Sequence, residues 1–380
     1  MKLFENHEVN TGRQAFLDVA KSLSILFMVL VHVLLYIAIP EDAVGEVGGA
    51  RFCYWLVDYV LGGTLAAPVF MFAMGVGVMY ARASGPAKLM RRGGNLLWKG
   101  ILLNILRCVP FALVLLFVTQ SAASRDETYG QFMYELVQSD ILPFAGLTFL
   151  LFAFLKRIGL SGGWVLAIAV GMSVLGTFCH GLAFGNGFAD IAVSPFFGVS
   201  EEPAESCFPL FNWFVFPAAG MAFGTLLRRC ASTDRLFALL TPVALVLYLP
   251  LTVWLAAHDS PWLTDEIVFY HMTFPEALYT LTGIFSVLGV SHFLSHILGA
   301  RILSLAGETS RMINEIYIVH WLILVMLTAG LTHALGIRLG VYASQLVALV
   351  ILAVSFHLAR RWCRARKRKA CAKRENKETK

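Results

Sequence analysis

The residues best suited to chemistry lie in the first long apolar run. His32 stands there among Leu, Ile, Val, Phe and Met residues, and histidine is the side chain whose proton exchanges near neutral pH. Lys21 precedes it by eleven residues. At 100° per residue this comes to about 1100°, some 20° past three full turns, with a rise of about 16 Å, so both side chains share one helix face. Asp18 lies one turn before Lys21 and Tyr36 one turn after His32, giving a polar stripe along an otherwise apolar helix. The stripe has two readings. Asp18 and Lys21 can snorkel to the interface and pair while His32 bonds a neighbouring helix. Alternatively, it is a path on which His32 acts as a general base; snorkelling explains Lys21 but not the deeper His32, which favours the path.

Asn104 and Arg107, followed by Pro110, fall at mid-depth of a later apolar run, where an arginine reaches neither interface and must face an acid or a polar cavity. Asp58 and Asp140 are its candidate partners. An anionic ligand such as a CoA phosphate is the functional alternative, and both readings stay open. Glu315 is expected to pair with Arg311 at i, i+4. His320 and Trp321 suit either a site or bundle packing. His292 and His296 have metal-ligand spacing, but the sequence offers no nearby third ligand, so no metal is expected. Seven cysteines read as free thiols; Cys179 and Cys207 could pair in an oxidising compartment, and Cys363 and Cys371 are expected to be reduced. The chain has no phosphate-binding loop, dinucleotide fingerprint, nucleophile elbow or Cys-x-x-Cys pair, so hydrolase and ATPase readings lack their parts.

These residues need a scaffold, and composition says which. Of 380 residues, 58% are hydrophobic and only 14% charged, which excludes an ordinary soluble enzyme and a disordered chain alike. Ten stretches are long and apolar enough to span a bilayer: 16–39, 55–81, 96–119, 136–155, 162–182, 209–227, 236–257, 277–299, 314–335 and 338–359. The first is too long, and too charged at Asp18 and Lys21, for a cleavable signal. Twenty-six of the thirty Lys and Arg fall on one side of this alternation and the loop acids Glu41, Asp42, Glu46, Glu201, Glu202, Glu205, Asp259, Asp265 and Glu266 on the other. The positive-inside tendency then predicts cytoplasmic N- and C-termini. Eleven of those basic residues lie in 360–380, which reads as a tail at the membrane surface and removes any nucleic-acid interpretation of the net charge of +6. The expected architecture is therefore an all-α integral membrane protein: one ten-helix bundle over 1–360 and a basic cytoplasmic tail over 361–380. No connection is long enough for a soluble domain, the longest outer one being 183–208.

A deep polar path with a histidine and cations fits acyl transfer across the membrane or transport of a small anion. The run from Arg13 through Leu17, Asp18 and Lys21 to His32 resembles the start of the transmembrane acyltransferases, a superfamily including acyltransferase family 3 and heparan-alpha-glucosaminide N-acetyltransferase. The former carry Leu-Asp-x-x-Arg and a histidine eleven residues after the Arg; here Lys21 stands in the Arg position and His32 at the expected spacing. The stretch Pro68 to Gly75 is similar to the family's Pro-x-Phe-Phe-x-x-Ser-Gly, with Met74 replacing Ser. Asp140 to Leu147, and Phe208 to Trp213 leading to Gly220 and Gly224, resemble the middle of the heparan-type members. Gly307 to Ser310 and Ile316 to Trp321, with Tyr317 and His320, are like the late Gly-x-x-Ser and Ile-Tyr-Leu-x-His-Trp signature.

The resemblance implies an acyl-CoA-dependent O- or N-acyltransferase moving an acyl group, expected to be acetyl, from cytoplasmic acyl-CoA to an extracytoplasmic sugar or polyol. His32 would be the general base, with Asp18 and Lys21 completing the catalytic set. Arg107, Asn104, Tyr36, Asp140, Ser310, Tyr317, His320 and Trp321 would contact substrate, Lys21 and Arg107 donating to CoA phosphate or the thioester oxygen. A basic loop with Lys88, Arg91 and Arg92 would attract the nucleotide. Lysine keeps the charge of arginine without its planar fork, so Lys21 would meet a phosphate as a point charge. Expected partners are membrane lipids and a carbohydrate or polyol acceptor, with no nucleic acid and a homodimer as one oligomeric option. The alternative is a transporter or flippase for an anionic small molecule or lipid-linked sugar, to which a break of the second helix at Gly62, Gly63 and Pro68 would belong; a non-catalytic scaffold would leave Lys21, His32 and Arg107 unused.

Overall fold

The structure is a computed structural model that describes residues 2–45, 48–81, 85–118, 121–179, 182–198, 206–258, 260–264 and 266–378. Glu46, Arg82, Glu201, Glu202, Glu205, Asp259 and Asp265 lie outside the described residues, and with them part of the predicted 183–208 connection. Among the described residues the chain is helical, with isolated bridges in place of strands. The principal helices are α1 (Ala15–Ile37), α2 (Gly49–Tyr80), α3 (Pro86–Phe117), α4 (Ala122–Val137), α5 (Ile141–Arg157), α6 (Gly162–Cys179), α7 (Leu210–Arg229), α8 (Thr233–Ala257), α9 (Phe274–Ile297), α10 (Ala300–Arg311), α11 (Ile313–Ala334) and α12 (Val341–Glu378). Among the described residues nine are long and apolar enough to cross a membrane: α1, α2, α3, α6, α7, α8, α9, α11 and α12 through Lys369. The tenth expected span, 136–155, is α5, which has only 17 residues because its chain breaks at Asp140; that is the lower limit for a spanning helix. The protein is an all-α, multi-pass integral membrane protein.

α1 is the axis of the bundle, packed against α2, α9, α10, α11 and α12. Pro40 disfavours helix at Ile39, so α1 stops at Ile37. Its end is then tied to the α11–α12 connection by Ile39 N–H donating to Leu339 O and Leu339 N–H to Ile37 O, both at 2.8 Å. Leu, Ile, Val and Trp side chains of α3, α8 and α12 stay exposed on the outside, among them Ile105, Leu116, Val246, Trp254, Leu346 and Val350, as a lipid-facing surface requires. The backbone of Leu3 to Asn10 pairs with Arg228, Arg229 and Ala231. Arg360 of α12 pairs with Glu308 of α10 at 2.7 Å, and Arg13 lies against Gly307. These contacts bring the start of the chain and the segment around Arg360 to the same end of the bundle.

Several details differ from the sequence reading. The third span begins at Pro86, so Lys88, Arg91 and Arg92 form the first turns of α3 and not a loop. α12 continues as helix through the basic tail to Glu378. Glu315 pairs with Arg366 at 3.1 Å and not with Arg311, because the backbone turns at Met312 and separates α10 from α11. All seven cysteines are free. α2 is broken as Gly62, Gly63 and Pro68 suggest: a π-helical turn over Leu56–Thr64 gives way at Leu65 and Ala66 to a second helical segment.

α2 and α7 approach so closely that backbone meets backbone. A Cβ on Gly75 would stand 1.9 Å from Pro217 O, and one on Gly220 would stand 2.0 Å from Phe72 O, whereas Gly77 has nothing within 4 Å. Small residues permit this approach where lipid offers no hydrophobic drive for helix association. Gly75→Ala should therefore destabilise the detergent-solubilised protein by about 1–3 kcal/mol through overpacking. Gly77→Ala on the same helix should be neutral or slightly stabilising; apparent melting temperatures of the two variants check this.

Candidate active site

The site forms where α1 passes the break between α4 and α5 and the middle of α11. Its foundation is a buried cation. Arg107 of α3 is 0% exposed; its Nε lies 2.5 Å from Glu135 Oε2 and its Nη1 3.0 Å from Asp140 Oδ2. Its guanidinium carbon sits 3.7 Å from the centre of the Trp321 ring. Both carboxylates accept further bonds: Glu135 from Tyr36 Oη at 3.1 Å and from Gln131 and Gln138 at 3.0 Å, and Asp140 from Tyr317 Oη and Ile141 N. Asn104 donates to the carbonyls of Leu136 and Gln138, holding the end of α4. The net charge of this cluster is one negative. The carboxylate lone pairs are filled in this manner, as a buried ion triad requires, whereas Arg107 Nη2 makes no hydrogen bond among the described residues.

Trp321 connects the cation to the histidine. Its ring is 4.4 Å from that of His32, and Tyr36 meets it edge-on at 5.2 Å. His32 Nδ1 lies 3.1 Å from His320 Nε2, and His320 Nδ1 lies 3.4 Å from Ile316 O. A carbonyl can only accept, so His320 donates from Nδ1, and in its neutral form its Nε2 accepts from His32 Nδ1–H. This leaves the lone pair of neutral His32 on Nε2.

A partly open cavity of about 270 Å³ lies against His32, bounded also by Met28, Tyr36, Gln138, Asp140 and Trp321. Its remaining wall is rich in aromatic and acidic side chains: Tyr54, Asp58 and Tyr59 from the broken part of α2, Tyr134 and Phe208, and Trp262, Phe269 and Tyr270 from the connection after α8. The Trp262 Nε1–H is buried and finds no acceptor among the described residues. A second cavity of about 10 Å³ shares Met28 and Ile141 with the first and is lined by Ser24, Asn314 and Tyr317. Ser24 is one turn from Lys21, so this seam points from the large cavity toward the end of the bundle that carries Arg13.

The structure separates the residues singled out from sequence into three places. His32, Tyr36, Asp140 and Trp321 line the cavity. Arg107, Tyr317 and His320 stand behind its wall and contact Asp140, Trp321 and His32, while Asn104 holds the carbonyls of Leu136 and Gln138. Asp18, Lys21, Lys88, Arg91, Arg92 and Ser310 lie toward the opposite end. Asp18 pairs there with Arg13 at 2.6 Å, while Lys88, Arg91 and Arg92 are exposed, Arg92 lying over Phe149 at 4.3 Å. Asp58, offered as a partner of Arg107, instead lines the cavity. Glu135 escaped the sequence reading because α4 is too polar to register as a span. Its one inward face, Thr128 and Glu135 at a spacing of seven, was the available signal.

A multi-pass α-helical membrane protein with a histidine facing a cavity, and Lys21 toward the far end of the same helix, has the parts of an acyl-transfer catalyst. The acyltransferase domain family model matches residues 14–359, and the chain belongs to that family, acyltransferase family 3. No curated protein and no solved structure matches the chain. The protein is thus a membrane acyltransferase, which decides against the transporter and scaffold readings.

Removing only the cation would leave two buried carboxylates without compensation. Arg107→Met should cost about 3–5 kcal/mol, whereas replacing the charges together, as Arg107→Met with Glu135→Gln and Asp140→Asn, should recover much of the loss. Unfolding of both variants in detergent measures this.

Proposed function

We propose that this acyltransferase takes an acyl group, acetyl in the simplest case, from cytoplasmic acyl-CoA and places it on a hydroxyl or amine of an extracytoplasmic sugar or related polyol. The observation that carries the reading is His32, which faces the cavity with its Nε2 lone pair while Nδ1 is held by His320. The acceptor hydroxyl gives its proton to Nε2 as its oxygen attacks the thioester carbonyl; the carbon–sulfur bond then breaks, and the proton leaves His32 for the CoA thiolate. No covalent enzyme intermediate is required. Arg107 acts indirectly: with its two carboxylates and Trp321 it positions His32 and does not meet the thioester.

The two ends of α1 divide the work. Lys21, about 16 Å from His32, is too far to touch the reacting carbonyl and suits a phosphate of the donor instead. Lys88, Arg91 and Arg92 raise the local potential for an anionic nucleotide. The seam past Ser24, Asn314 and Met28 is the route for the pantetheine arm. It is narrow in this structure, so donor binding widens it. On the other side, aromatic walls with interspersed carboxylates fit a sugar ring, whose C–H faces stack and whose hydroxyls donate. Glu41 in this lining is paired with Arg51 at 2.7 Å, and the carboxylates of Asp58 and Asp140 suit a neutral or amino sugar better than an anionic one.

The acceptor's contact with Trp262 is testable. Trp262→Phe keeps the aromatic wall and removes the N–H, which should raise the acceptor KM about tenfold, the worth of one hydrogen bond, with kcat little changed. Isothermal titration of the purified protein with acetyl-CoA tests the donor half. Micromolar binding that weakens at least tenfold in Lys21→Ala supports it; absence of binding to folded wild type contradicts it.

A further inference from the structure

His292 and His296 lack a third ligand in the sequence, but the fold supplies one. α8 opens at Thr233 with the Ser232 side chain accepting from Arg235 N, which places Asp234 in its first turn beside the last turns of α9. Asp234 Oδ1 lies 2.8 Å from His292 Nε2 and 3.2 Å from His296 Nε2, and the two Nε2 atoms are 3.4 Å apart. Three atoms at these separations have a common centre about 1.8 Å from each. An ion with bonds of about 2.0–2.1 Å, the lengths zinc makes to imidazole nitrogen and carboxylate oxygen, therefore fits just above their plane.

The surroundings divide the ligands by rigidity. His292 is buried, its ring stacked on Phe237 at 4.6 Å and met edge-on by Phe16 at 5.9 Å. The side chains of Asp234 and His296 are 72% and 58% exposed, so a fourth ligand can arrive from solvent. We propose that Asp234, His292 and His296 bind one divalent transition-metal ion, zinc by ligand type, with water in the fourth position. Two imidazoles argue against magnesium and calcium, which take oxygen ligands. The ion would clamp α8 to α9 where α9 packs on α1, far from the His32 cavity. Its role is structural or regulatory, and it takes no part in acyl transfer. The expectation of no metal rested on the missing third ligand.

Without an ion the same geometry is two imidazoles hydrogen-bonded to one carboxylate, and metal titration distinguishes the cases. Purified full-length protein carrying Cys371→Ser, to remove an exposed thiol, is treated with chelator, then titrated with zinc in competition with a chromophoric chelator. Cobalt substitution supplies a ligand-field spectrum. The proposal expects one saturable equivalent and at least about 100-fold weaker binding in both Asp234→Ala and His296→Ala, whose own side chains are exposed. It also expects zinc to raise the apparent melting temperature of the parent but not of either variant. No saturable zinc binding by the folded parent, or an equivalent bound as tightly in either variant, overturns it.

Discussion

The arrangement depends on one buried charge. A guanidinium at the depth of Arg107 is tolerated only where carboxylates neutralise it and their remaining lone pairs are filled. Meeting that condition draws five elements to one point: α3 brings the cation, α4 and the start of α5 bring Glu135 and Asp140, α1 brings Tyr36 and α11 brings Tyr317. The break between α4 and α5 follows from the same demand, since Asp140 both caps α5 and binds Arg107. Trp321, lying on the guanidinium, is then fixed where it can orient His32. The reactive group is thus held by a structure that does not itself react.

The second span shows the same economy. A π-helical turn widens the backbone over Leu56–Thr64 and carries Asp58 and Tyr59 to the cavity. Gly62 within it lies so near Val31 that a Cβ would stand 2.5 Å away, which brings α2 against α1 beside His32. π-turns often mark functional positions because they displace side chains that a regular helix would hide.

Much of this was legible in the sequence. Hydropathy located the apolar runs, although the third span starts ten residues earlier than expected and the last continues as helix well past its apolar part, and helical periodicity placed Lys21 and His32 on one face. The need of Arg107 for an acid pointed to Asp58 and Asp140, of which Asp140 is the partner. What escaped was long-range and polar. Glu135 sits on a helix with no hydrophobic signal, Asp234 is 58 residues from the histidine it meets, and Glu315 turned to Arg366 because a single residue, Met312, interrupts the helix. Which polar residues line the cavity and which stand behind it depends on helix rotation, which periodicity alone does not set. Arg107 and Lys21 look alike as intramembrane cations, yet one is locked between carboxylates and the other lies at the basic end.

In this mechanism His32 removes the acceptor proton while the surrounding cluster only positions it. Release of free CoA thiol from acetyl-CoA by purified protein, in the presence of a sugar acceptor, tests this most directly when wild type and His32→Ala are compared at matched folding and donor occupancy. His32→Ala should bind donor as wild type does but release thiol at least about 100-fold more slowly. Turnover by His32→Ala close to that of wild type would contradict it.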